Sequence, residues 1–117
     1  DPLWSRGLGD VYKRQYNTFT FKTEAQMLLF KRIWEDNGTE LFDKLKKKGC
    51  TRFCLNQIWN VKGTFKMSVL FEYESPTSFK QCQNELENFT KNLLKELQAA
   101  DPVIEASRNI VLQDLRV

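Results

Sequence analysis

The side chains able to do chemistry in this chain are few, and one absence narrows them further: there is no histidine. Ser-His and Cys-His nucleophile pairs are therefore excluded. Three cysteines remain, Cys50, Cys54 and Cys82. Cys50-x-x-x-Cys54 lacks the spacing of a zinc knuckle, and without histidine its ligand set cannot be completed. No metal and no cofactor is expected, and the cysteines read as small, unpaired core residues of a reducing, cytoplasmic compartment. Glu72, near the end of an alternating run, could serve as a carboxylate base if a cavity raised its pKa. A solvated or ion-paired glutamate is the plainer account. Asn37-Gly38-Thr39 and Asn88-Phe89-Thr90 match the N-glycosylation triplet, but both fall where a helix is expected. Outside residues 1–15 no glycine-rich loop could cradle a phosphate. The Lys44, Lys46, Lys47, Lys48 run suits the negative end of a helix dipole and needs no ligand to explain it.

The elements that would position these groups follow from periodicity. Tyr16–Lys22 alternates, with Phe19 and Phe21 on one side and Thr18 and Thr20 on the other, which predicts a strand. Thr23 with Gln26 three residues on forms a capping box. From there Met27, Phe30, Trp34, Leu41 and Leu45 predict a long helix over roughly 24–48, with Asn37-Gly38 as its weak point and Gly49 at its C-terminal cap. Thr51–Val61 predicts a strand with Phe53, Leu55, Trp59 and Val61 on one side. Lys62-Gly63-Thr64 predicts a tight turn into a third strand, Phe65–Glu74. Ser75-Pro76 caps a second helix whose stripe is Phe79, Cys82, Leu86, Phe89, Leu93 and Leu97. Asp101-Pro102 ends it, and a fourth strand is expected over Ser107–Leu115, centred on Ile110, Val111 and Leu112.

The order β-α-β-β-α-β predicts an α+β, ferredoxin-like domain: an antiparallel sheet with both helices on one face. The other face then carries Cys54, Asn56, Ile58, Ser68, Leu70 and Glu72. It is too apolar for a solvated sheet and too polar for a dry core. A second copy packed sheet to sheet would bury it, so a homodimer is expected, with Asn56, Ile58, Ser68, Leu70 and Glu72 as candidate cavity-lining residues.

The chain has 18 basic and 15 acidic residues, a formal net charge of +3. That balance gives no electrostatic case for a nucleic-acid or membrane partner, and no apolar run approaches the ~20 residues of a membrane span. The first fifteen residues stand apart. Asp10-Val11-Tyr12-Lys13-Arg14-Gln15 is what the string GAT GTG TAT AAG AGA CAG encodes, which resembles the transposase mosaic end used in sequencing libraries. Residues 1–15 are thus expected to be an adapter-derived leader, leaving Trp4 and Tyr12 outside the core and making any site role for Arg6, Gly7, Gly9, Lys13 or Arg14 spurious. Residues 16–117 are then one domain, of metagenomic origin, whose natural start is expected to be missing.

The pattern of a strand, a long helix with a mid-helix aromatic (Ile33-Trp34-Glu35), Gly49-Cys50, then Val69-Leu70-Phe71-Glu72-Tyr73-Glu74-Ser75 and a Phe79-led helix resembles the dimeric α+β barrel proteins. The similar branches are the antibiotic-biosynthesis-monooxygenase and NIPSNAP-like ones. The resemblance implies a homodimer with a small-molecule cavity in each half and, in some members, cofactor-independent oxygenation of phenolic compounds using Asn and Trp side chains. On it Asn56 is a candidate, while Trp59 falls on the helix-covered side. The haem-degrading branch ligates iron through a histidine this chain lacks. Whether the chain is an enzyme is left open. The alternative is an RNA-recognition-like domain, which shares the element order. Its base-stacking positions align with Lys66, Ser68 and Leu70, none aromatic, which forfeits about 1–3 kcal/mol per base.

Overall fold

A computed structural model describes residues 14–109 and 111–117. Its elements are β1 (Arg14–Phe21), α1 (Glu24–Lys46), β2 (Cys50–Ile58), β3 (Phe65–Tyr73), α2 (Pro76–Asn92), α3 (Leu94–Ala100) and β4 (Val103–Asn109). The strands form one antiparallel sheet in the order β2-β3-β1-β4. This is the expected α+β, ferredoxin-like arrangement, with the second helix divided.

Alternation along the strands sorts the side chains into two faces. Gln15, Asn17, Phe19 and Phe21 of β1 align with Phe71, Val69, Met67 and Phe65 of β3, and Phe53 and Leu55 of β2 sit opposite Phe71 and Val69. The helices cover this face. Met27, Phe30, Trp34, Leu41 and Leu45 of α1 join it in a single core with Phe79 and Cys82 of α2 and Ala100 of α3. Aromatic contacts run through the middle: Trp34 stacks on Phe53 at 5.2 Å and lies 5.0 Å from Phe89.

The predicted caps form. Thr23 Oγ1 accepts from the Gln26 backbone N–H at 3.1 Å, and Ser75 Oγ accepts from Ser78 N–H at 3.1 Å. Helix α1 runs unbroken through Gly38, where Asn37 Nδ2 donates to Ile33 O at 2.8 Å. It ends at Lys46, and Gly49 follows with φ +97°. A Cβ at Gly49 would overlap the Ser78 side chain, so the position combines a left-handed backbone with a close helix approach.

Five expectations need correction. Strand β1 begins at Arg14, not Tyr16, and Gln15 is buried. The last two residues assigned to the leader thus lie in the sheet, and Arg14 is engaged, its Nε 3.3 Å from Glu72 and its Nη2 2.9 Å from Asp114. Residues 1–13, including Trp4 and Tyr12, lie outside the described residues. Second, β2 stops at Ile58, and Trp59, placed on the covered face, is 86% exposed. Register explains this: Ile58 already pairs with Lys66, so residues 59–64 are a loop, closed by Thr64 Oγ1 donating to Val61 O at 3.0 Å. The tight turn expected at 62–64 is therefore wider. Third, α1 ends at Lys46, about two residues early. Fourth, the second helix breaks at Leu93, φ −113° and ψ 24°, giving α2 and α3. Fifth, β4 is Val103–Asn109, not Ser107–Leu115. Among the described residues the β1–β4 pairing runs from Thr20 with Val103 to Arg14 with Asn109. The apolar cluster that suggested a strand there leaves Leu112 93% exposed, and Ile110 lies outside the described residues.

Candidate functional site

The five residues singled out from sequence all stand on the sheet face opposite the helices. Asn56 pairs across β2–β3 with Ser68, Ile58 with Lys66, Cys54 with Leu70 and Arg52 with Glu72. Asn56 is exposed, Ile58 and Ser68 are half-buried, and Leu70 is buried by its own sheet neighbours. Glu72 is an ion-pair hub, with Oε1 3.3 Å from Arg14 Nε and 3.6 Å from Arg52 Nη1. It lines a hollow with Arg14, Thr51, Asp114 and Arg116. Glu72 is therefore ion-paired, with Arg14 and Arg52 as its partners.

The larger opportunity lies on the helix side, where sequence reasoning did not look. A cavity of about 400 Å³ sits between the sheet and helices α2 and α3. Its floor comes from the strands: Gln15, Asn17 and Phe19 of β1, Phe71 of β3 and Ile104 of β4. Its walls are Phe30 and Trp34 of α1, Gln83, Leu86, Phe89 and Thr90 of α2, and Leu97 and Gln98 of α3, with Asp101 and Pro102 beyond it. The register accounts for the space. Asn17 lies between Val69 and Ala106 in the sheet, a short polar side chain on the covered face where its neighbours Phe19 and Phe71 are rings. The break at Leu93 lets α3 depart from the line of α2 over the same region.

Two polar atoms in this lining are buried and have no hydrogen-bond partner, Asn17 Oδ1 and Trp34 Nε1. Orphaned polar groups in a folded interior are uncommon, because each costs about 1–3 kcal/mol. One is an acceptor from the central strand and the other a donor from α1. Beside them a third group is already organised. Tyr73 Oη donates to Gln15 Oε1 at 3.0 Å, and Gln83 Nε2 donates to the same oxygen at 3.3 Å and to Tyr73 Oη at 3.4 Å. Burial pushes the Tyr73 phenol well above its ordinary value, so it remains a donor. The one charged residue of the lining, Asp101, pairs with Lys22 at 3.6 Å. Among the described residues no cluster of three or more His, Cys, Asp or Glu could hold a metal ion. The arrangement can thus hold an apolar molecule against aromatic walls in a half-open cleft.

A signal for this site was present. Extending the β1 alternation backwards from Phe19 puts Asn17 and Gln15 on the covered face, two polar residues where core side chains belong.

A family described as a domain of unknown function, DUF6974, matches residues 13–111. The chain belongs to the DUF6974 family. The match spans Arg14, Gln15, Asn17, Trp34 and Gln83, and so includes the polar residues of the cavity. No curated protein sequence matches this DUF6974 chain. Two solved structures share its fold, both described as dimeric ferredoxin-like proteins from an uncultured marine organism. The first has 23% identity and a TM-score of 0.80, covering 87% of this chain and 96% of that one. The second has 22% identity and a TM-score of 0.79, covering 89% and 97%. A Caulobacter crescentus structure, proposed to be an antibiotic biosynthesis monooxygenase, aligns over 92% of the DUF6974 chain and 99% of its own at 18% identity. Its TM-score is 0.44, too loose to carry an argument.

Proposed function

We propose that the chain is a homodimeric small-molecule-binding protein whose ligand, an apolar or phenolic compound, occupies the helix-side cavity. One observation carries this: a half-open cleft of about 400 Å³ between the sheet and the helices, lined by the rings of Phe19, Phe30, Trp34, Phe71 and Phe89. Volumes of this order are typical of ligand sites, ~300–1,000 Å³. Cofactor-independent oxygenation of a phenolic substrate is the activity to which the reading extends.

The homodimer rests on the opposite face. There Cys54, Leu70 and Tyr16 form a semi-apolar row across β2, β3 and β1, and Tyr16 is 38% exposed. The structures of the same fold carry the description dimeric. The three cysteines are all free, which suits a reducing cytoplasm. Among the described residues no helix is long and apolar enough to cross a membrane. RNA binding gains nothing: Lys66, Ser68, Leu70 and Glu72 occupy the β3 positions of the open face, where base stacking would need rings.

Equilibrium dialysis against naphthalene tests the cavity. Saturable binding of one molecule per protomer, lost when Leu86→Trp fills the space, supports the reading, and absence of binding refutes it. Sedimentation velocity tests the assembly. The wild-type chain should sediment as a dimer and Tyr16→Glu as a monomer, whereas a wild-type monomer at tens of micromolar removes the homodimer.

A further inference from the structure

We infer that residues 111–117 form an arm by which each protomer of the homodimer grips its partner, Leu112 and Leu115 of one copy packing against Trp59 and Val61 of a second copy. This rests on the homodimer proposed above, and goes beyond it to the contact that closes the interface.

The arm is pinned at one end of the open sheet face. Strand β4 ends at Asn109, and the residues that follow cross back over β1 towards β3. Asp114 pairs with Arg14 of β1 at 2.9 Å, and Arg116 holds the same carboxylate at 3.0 Å. Val111, Asp114 and Arg116 share a hollow with Glu72 and Thr51. These ion pairs fix the polar residues of the segment against the sheet. Its leucines are left outside: Leu112 is 93% exposed, and Leu115 is nearly as bare. Leu112 also lines a shallow hollow with Tyr16. Tyr16 belongs to the row on which the homodimer rests, so the arm continues that surface.

The opposite end of the sheet carries a second apolar patch. Loop 59–64 extends past the last β2–β3 pair, Ile58 with Lys66. It leaves Trp59 and Val61 exposed. The nine residues of β3 separate the two patches. Large apolar side chains exposed in company mark contact surfaces.

Symmetry says how the patches meet. Two copies packed sheet to sheet are related by a two-fold axis lying between the sheets, and each contact then occurs twice. With the axis along the strands, arm end meets arm end and both loops stay in water. With the axis across the strands, the arm end of each copy lies over the loop end of the other. Only this second arrangement covers both patches, and it covers each twice.

Sedimentation equilibrium on the full chain tests it, comparing the wild type with Leu112→Ser, Trp59→Ser and the double variant. The control is Leu28→Ser, at an exposed leucine of α1 on the helix side. Each of the first two substitutions should raise the dimer dissociation constant roughly hundredfold. Each occurs twice per dimer, and burying such a side chain contributes about tenfold per copy. The double variant should be no weaker than the worse single one, because both remove the same contact. Leu28→Ser should match the wild type. All these residues are exposed in the protomer, so circular dichroism should show every variant folded. A wild-type monomer removes the homodimer and this inference with it. A wild-type dimer weakened by neither substitution, or by only one of them, overturns the inference and leaves the homodimer standing. Fully additive losses in the double variant overturn it too, since they would show two separate contacts.

Discussion

Replacing Asn17 with leucine should make the unliganded protein more stable. The side chain belongs to β1, which pairs on both sides, with β3 and with β4. Its Oδ1 is buried with no partner. A buried acceptor that makes no bond costs about 1–3 kcal/mol. Leucine keeps the branched shape, with methyl groups bulkier than the amide, and removes that cost, while surrendering whatever Nδ2 gains. Taking the lower end, the gain is about 1 kcal/mol, or roughly 4 °C in Tm for a domain of this size. Leucine also has the better strand propensity. The control is Asn56→Leu, at an exposed position of β2, which carries the propensity gain without the burial term. The assay is thermal unfolding followed by circular dichroism, with both variants beside the wild type. Asn17→Leu should exceed both. A fall in Tm, or a gain no larger than that of Asn56→Leu, would show that Asn17 is already satisfied in the folded chain. The reasoning that its acceptor goes unpaired would then fail.

Other expectations follow from the same structure. Gly49→Ala should cost about 2 kcal/mol or more by urea unfolding, because φ is +97° and the new Cβ meets Ser78; an unchanged midpoint would refute the close approach. Gly38→Ala should add about 1 kcal/mol by the same measurement, since a Cβ there finds ordinary contact with Phe53 at 3.7 Å in an unbroken helix. Burial pushes the Cys50 thiol up from 9.0 to about 11 and raises Cys82, where Lys48 partly opposes it. Both folded values exceed the unfolded ones, so the stability they confer is complete below pH 9.0 and drains away as the pH rises towards about 11. Unfolding free energy measured across that window should decline more steeply than in a Cys50→Ala variant. A thiol reagent at neutral pH should label half-buried Cys54 before Cys50 or Cys82.

Local pattern made most of the framework legible. Thr23 and Ser75 cap because their neighbours three residues on supply the N–H, and α1 shows its stripe over its whole length. The alternation of β3, from Met67 to Tyr73, assigns the faces correctly. What failed depends on partners distant in sequence. Trp59 continued the alternation of β2, but the strand ends where its pairing with β3 ends, at Ile58. Val111 and Leu112 are as apolar as any strand, yet among the described residues the β4 pairing with β1 ends at Asn109. The site followed the same rule. Asn56, Ile58, Ser68, Leu70 and Glu72 were read together from adjacent strands joined by a hairpin, which local sequence reveals. The cavity lies where Asn17 and Phe19 of β1 meet Ile104 of β4, residues brought together only by the β1–β4 register, and beside helices whose break no residue type announced. A hollow is defined by what the neighbours do not fill, and that is a property of the assembled layers.

The central claim is that the helix-side cleft holds an apolar molecule against its aromatic walls. The most direct test is the indole N–H region of the proton–nitrogen correlation spectrum during titration with naphthalene, the Trp34 signal being assigned by its loss in Trp34→Phe. The account predicts that the Trp34 resonance shifts and saturates as the ring of the probe comes to rest beside the indole, while that of exposed Trp59 stays in place. A Trp34 signal unmoved at saturating probe would contradict the account.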